Sequence, residues 1–210
     1  MKSVQVWDVF VRTFHWTLVG AILGMFLTAE TFENAHVSLG YFVIVLVLAR
    51  LFWGFFGTRH ARFTDFVYGP GAIISYLKGL IKGNPKHYIG HNPAGGLMII
   101  VMLLSLLVTA YTGLKTIGSE GRGPLAADGY SIVRPAYAHR GEPDGKNAEH
   151  PGRKHRAKNP QHEFWEEIHE GMTDFMIFLV VVHVGGVIVS SWIHQENLVL
   201  AMITGKKKLE

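Results

Sequence analysis

Four histidines lie in or beside the long apolar runs of this chain: His15, His36, His169 and His183. His183 sits in the middle of a stretch, Met172 to Ile193, that is apolar except for it and Asp174, and His169 comes fourteen residues earlier. At 100° per residue, fourteen steps fall about 40° short of four full turns, so both imidazoles leave a helix on nearly the same face, roughly 21 Å apart along its axis. Two ligand sites follow from that geometry, one deep and one near the surface. An ionisable side chain in hydrocarbon costs on the order of 2–3 kcal/mol, which marks it as a functional candidate. Taken alone, His183 is equally explained by a hydrogen bond to a neighbouring helix, and the remaining histidines must decide between the two readings.

The ligand pool is narrow in kind. The 210 residues include 12 histidines and no cysteine. Iron–sulfur ligation by Cys, covalent c-type haem attachment, Cys-based zinc sites and disulfides are thereby excluded. Hydrophobic residues make up 49% of the chain and the mean hydropathy is +0.21, more apolar than a soluble domain usually is. A net charge of +4 and a pI near 9.3 would suit a nucleic-acid partner. The basic residues flank apolar runs, however, so membrane topology accounts for them and no nucleic acid is expected.

The elements that must position the histidines are four apolar runs, at about 14–30, 37–56, 94–114 and 172–193, near the twenty residues that a hydrocarbon core of roughly 30 Å requires. The expected fold is all-α, an integral membrane four-helix bundle forming one domain over 1–210, with both termini on the cytoplasmic side. The first run carries His15 one turn inside its start, follows no small-residue cleavage site, and is not read as a removed signal peptide. Trp7 and Trp16 can anchor it at the interface, and Gly20 and Gly24 offer a small face for close helix approach. His36 opens the second run. Gly40, one turn later, suits either helix packing or a flat, wide group against the backbone, and Arg50 can snorkel to the opposite surface.

Residues 57–92 carry Arg59, Arg62, Lys78, Lys82 and Lys86 against the single acid Asp65, and the stretch from Pro70 to Lys82 reads as an amphipathic helix on the membrane surface. Asn92-Pro93 reads as a cap followed by proline at the first helical position of the third run. A polar connection over 115–165 follows, whose basic run from His150 to Lys158 suits partner docking. The chain ends in an amphipathic tail from Glu196 to Leu209.

Bases near the ends of the runs place both termini in the cytoplasm. Depth then pairs His15 with His183, and His36 with His169, which is what two bis-histidine haems, one above the other, require. Iron with both axial positions filled does outer-sphere electron transfer. Gly186, with Gly185, clears space beside His183. Arg12 and Arg50 are placed to meet the propionates of the cytoplasmic haem, and Lys115 or the basic loop those of the other.

Phe14-His15-Trp16, His36-Val-Ser-Leu-Gly, the pair His169-Glu…His183 and the tail Glu196-Asn-Leu-Val-Leu-Ala-Met together resemble the bacterial cytochrome b561 family, a group related to the cytochrome b subunit of nickel–iron hydrogenases. The resemblance covers nearly all four runs and is most specific in the spacing of the last two histidines. It implies that His15, His36, His169 and His183 are axial ligands of two haem b groups. It also implies exchange with quinone or quinol at a bacterial inner membrane, and electron passage to or from a redox protein such as a c-type cytochrome or a dehydrogenase or hydrogenase subunit. Tyr41, Tyr111 and His91 lie near depths suited to a quinone. The long connection over 115–165 departs from the family's pattern. Two other readings compete with the electron carrier: a self-contained quinol oxidoreductase reducing a small oxidant, and a His-lined transporter of metal ions or protons.

Overall fold

A computed structural model describes residues 3–126 and 160–208. The basic run at 150–158 lies outside them. The elements, in order, are β1 (Ser3–Gln5), α1 (Val9–Thr28), α2 (Glu33–Phe56), a 3-10 turn (Arg59–Ala61), α3 (Phe63–Phe66), α4 (Pro70–Ile81), α5 (Pro93–Ser119), α6 (Pro160–Ile193), α7 (Leu198–Thr204) and β2 (Lys206–Lys208). Four of them, α1, α2, α5 and α6, are long and apolar enough to cross a membrane. Much of their outward surface is itself apolar, with Leu27, Val45, Phe52, Val181 and Ile188 exposed, as lipid rather than water would require.

Each of the four begins or ends beyond the run expected for it. Asp8 caps α1, its Oδ1 accepting from Val11 N at 2.7 Å, so the helix starts at Val9 rather than near residue 14. The polar connection is shorter than expected at both ends, because α5 runs on to Ser119 and α6 already begins at Pro160. His162, expected in the connection, therefore lies on α6, sharing hydrogen bonds with Ser119 Oγ and Thr116 O. At 34 residues, α6 is roughly 51 Å long, more than a hydrocarbon core needs.

The chain divides into two compact units. The first comprises Met1–Ala110 and Asp174–Glu210. Its core is Ala21 of α1, Val43 and Val47 of α2, Leu103 and Leu106 of α5 and Met176 of α6, with Phe14, Leu18 and Leu51 packed around them. One end of this unit is closed by polar and aromatic structure. Asp8 Oδ2 accepts from Trp53 Nε1 at 2.9 Å and from Thr58 Oγ1, tying the start of α1 to the end of α2. Burial pushes the Asp8 carboxyl up, but these donors, Val11 N and the charge of Arg50 outweigh it and leave the pKa below the usual value. Asn92 Oδ1 accepts from Gly95 N at 2.7 Å at the start of α5, with Pro93 at the first helical position.

The amphipathic tail is built from a short helix and a strand. Asn197 caps α7 by accepting from Leu200 N, and Gly205, at φ 80°, turns the chain into β2. A Cβ there would be strained and would lie 2.6 Å from Trp7 O. Then β2 pairs antiparallel with β1, Ser3 opposite Lys208 and Gln5 opposite Lys206. Buried Lys207 bonds Glu196 Oε2 at 3.0 Å, and His87 Nε2 bonds Glu196 Oε1 at 3.0 Å.

The second unit is Tyr111–Thr173. Within it Trp165 packs edge-on against Tyr111, and Lys115 Nζ stands over both rings. Glu120 pairs with Arg122.

Candidate functional site

Of the four histidines, the first unit holds His15, His36 and His183. His15 comes from the second turn of α1 and His183 from the middle of the apolar part of α6. Their ring centroids are 6.4 Å apart, with 51° between the planes. Imidazole nitrogens bind first-row metal ions at about 2 Å, and a ring centre lies about 1 Å behind its nitrogen, so two imidazoles on opposite sides of one ion have centroids about 6 Å apart. Rotation about the shared nitrogen–metal–nitrogen line leaves that distance unchanged, so 51° is compatible with it. Trp16 lies edge-on to His15 on another side, at 5.0 Å and 86°. His15 Nδ1 is buried with no hydrogen-bond partner among the described residues. The separation is compatible with one metal ion that the two imidazoles would hold, a macrocycle supplying its other ligands.

Space beside the histidines fits as well. Among the described residues, a Cβ built on Gly40, four residues after His36, would meet nothing within 4 Å, and the same holds for Gly20, Gly185 and Gly186 on the exposed faces of α1 and α6. No neighbouring helix among the described residues presses on these four. Helix packing does explain Gly24, where a Cβ would lie 3.1 Å from Leu39 Cδ1, and Gly96, where it would strike Phe66 O. Of the two glycines expected to form a packing face on α1, one packs and one is open.

His36 Nδ1 lies 3.1 Å from Met25 O. A carbonyl only accepts, so Nδ1 carries the proton and the lone pair sits on Nε2, the tautomer a metal ligand needs. In the second unit His169 shares a hydrogen bond of 3.0 Å between its Nδ1 and Thr112 Oγ1. Gly113 lets α5 come this close, since a Cβ there would lie 3.1 Å from His169 Cε1. Among the described residues no group of three or more His, Cys, Asp or Glu could hold a metal ion by itself. A donor set of two imidazoles per ion needs no such group.

The two arginines differ from expectation and from each other. Arg50 does not snorkel: it is 3% exposed, donates from Nη2 to Ala61 O at 3.2 Å and lies over the rings of Phe63 and Phe66. Asp8 and the aromatic bed hold it inward, at the closed end of the unit. Its Nη1 is buried without a hydrogen-bond partner among the described residues. Arg12 is held by backbone carbonyls, Ile203 O at 2.7 Å and Asp8 O at 3.4 Å. His91 lies tilted between Trp7 and Phe66, with centroids at 4.4 and 4.8 Å, and its Nδ1 is also buried without a partner among the described residues.

The sequence reading missed three positioning groups: Met25 O, Thr112 and Gly113. Only the Thr-Gly pair inside an apolar run gave any signal. Asp8 carried a legible one, as an N-cap residue just ahead of apolar helix.

A family model described as "Prokaryotic cytochrome b561" matches residues 6–205. Among curated proteins, the chain is similar to a "Probable Ni/Fe-hydrogenase B-type cytochrome subunit" of Rhizobium leguminosarum bv. viciae, at 29% identity, and to proteins of the same description from Azotobacter vinelandii and Azotobacter chroococcum mcd 1, each at 28%. Each alignment covers 58% of this chain and 62% of the relative, so the match spans about three fifths of those proteins. No solved structure matches the chain. The four long apolar helices and the family match place the chain in the bacterial inner membrane as a multi-pass protein.

Proposed function

Because this chain belongs to the prokaryotic cytochrome b561 family, we propose that it is a b-type cytochrome carrying electrons between the quinone pool and a redox partner protein. The observation that carries the reading is the 6.4 Å separation of the His15 and His183 rings. These two residues hold haem b, with α1 and α6 fixing the imidazoles from either side. When bound, such a haem supplies one-electron, outer-sphere transfer, because both axial positions are taken. The depths of His36 and His169 along their apolar runs support a second haem b on those two residues. Met25 O orients His36, and Thr112 with Gly113 orients His169. Gly40 and Gly186 leave room for the macrocycles. Arg50, with Nη1 unpaired among the described residues, is better suited than Arg12 to meet a propionate. Both termini lie on the cytoplasmic side of a four-helix bundle, an assignment supported by the adjacency of β1 and β2 and by the bases near them.

The description of the curated relatives supports a hydrogenase-like dehydrogenase as the partner; a c-type cytochrome remains the alternative. The test is reduction of the purified, haem-loaded chain by a soluble quinol analogue, followed at the haem absorbance with and without a candidate partner. Reduction by quinol, with onward transfer only when partner is added, is expected. A haem that no quinol reduces would contradict the quinone link. Turnover of a small oxidant with no partner would make the chain a quinol oxidoreductase.

A further inference from the structure

On the closed end of the first unit, α4 and the segment after it form an open-sided cavity of about 610 Å³ whose lining includes Ser75, Tyr76, Lys78, Lys82, Lys86 and Tyr88. Among the described residues no carboxylate lines it, and none of the three lysines is ion-paired. Lys86 Nζ stands over Tyr88 at 5.6 Å. Three unneutralised ammonium groups around one cavity, with a hydroxyl among them, are a receptor for a phosphate-type anion.

The same helix says where the anion comes from. On α4, Ile74, Leu77 and Ile81 recur at i, i+3 and i+7, and all three are exposed. Helical geometry puts that ridge next to the face bearing Lys78 and Lys82. Lys207 Nζ reaches Tyr88 O, and Thr58 reaches Asp8, so the cavity sits at the ends of α1 and α2, beside the paired strands β1 and β2. Apolar side chains facing outward at the level where spanning helices end meet acyl chains, and lysines beside them meet headgroups.

We propose that this cavity is a binding site for the phosphodiester headgroup of an anionic phospholipid, whose acyl chains lie along Ile74, Leu77 and Ile81. The site is independent of haem binding and requires only the membrane location.

The test is native mass spectrometry of the full chain in detergent, titrated with phosphatidylglycerol or phosphatidylcholine. The wild type is expected to retain phosphatidylglycerol preferentially, K78Q/K82Q to bind it about tenfold more weakly and K82Q to fall between, as roughly expected for the loss of basic residues at an anionic surface. R59Q/K206Q, which loses the same charge outside the cavity, is expected to bind as the wild type does. Thermal unfolding by circular dichroism checks that the variants fold. Equal retention by K78Q/K82Q and wild type would overturn the proposal, as would an equal loss in R59Q/K206Q. Displacement of the lipid by millimolar inorganic phosphate would also overturn it and make a soluble phosphate compound the ligand.

Discussion

His91 makes the stability of the closed end depend on pH, in a direction and window that follow from its surroundings. The ring lies between Trp7 and Phe66, and its backbone carbonyl accepts from Tyr68 at 3.1 Å. Burial first, then the nearby charges of Arg50, Lys207 and His60, pushes its pKa down to about 3. In the unfolded chain it titrates near the ordinary histidine value of about 6.5. Between those values the unfolded state holds a proton that the folded state lacks, so stability is complete above about pH 6.5 and falls as pH drops toward 3. The full slope is about 1.4 kcal/mol per pH unit. Allowing for the accessible edge of the ring, acidification from pH 6.5 to 5 costs about 1–2 kcal/mol through this residue. His91→Leu, close in volume and without a proton site, removes that part. The assay is denaturant unfolding in detergent micelles, followed by tryptophan fluorescence at pH 7.5 and 5 for both proteins. The wild type is expected to lose about 1–2 kcal/mol more than H91L over this interval. Parallel losses would refute the reasoning, because other titrating groups would then carry the whole effect.

Three further outcomes follow. Asp8→Asn removes a charged N-cap and the acceptor that faces Trp53, Thr58 and Arg50, and is expected to destabilise the chain by about 2–3 kcal/mol in the same unfolding assay. Gly113→Val drives a side chain into His169 and is expected to cost about 1–3 kcal/mol and to lower haem content, read by pigment extraction. Gly40→Leu enters space that no atom of the described residues fills; its unfolding midpoint without haem is expected to match the wild type while the haem bound per chain falls by half or more. A wild-type haem content in G40L would assign that space to lipid alone.

What the sequence disclosed was periodicity and polarity. Fourteen residues between His169 and His183 prescribe a shared face, and depth along the helices pairs His15 with His183, whose rings stand 6.4 Å apart. Pro70 and the lysines after it foretold α4, and Asn92-Pro93 foretold the cap of α5. Long-range partners were illegible. Arg50 looks like a snorkelling residue because nothing nearby in sequence reveals Asp8, Phe63 and Phe66 closing around it. The three-residue pairing of β1 with β2 joins segments some two hundred residues apart and has no local signature beyond the lysines. Helix ends were misplaced because polar residues continued α5 and α6 past their apolar runs, where intrahelical hydrogen bonds rather than lipid contact sustain the helix.

The central claim is that His15 and His183 hold haem b between α1 and α6. Its most direct measurement is a reduced-minus-oxidised optical spectrum with pyridine haemochrome quantitation of the wild type and His183→Ala. The account expects b-type spectra with two haems per chain in the wild type and the loss of at least one in H183A. A wild type without haem, or an H183A protein with undiminished haem, would contradict it.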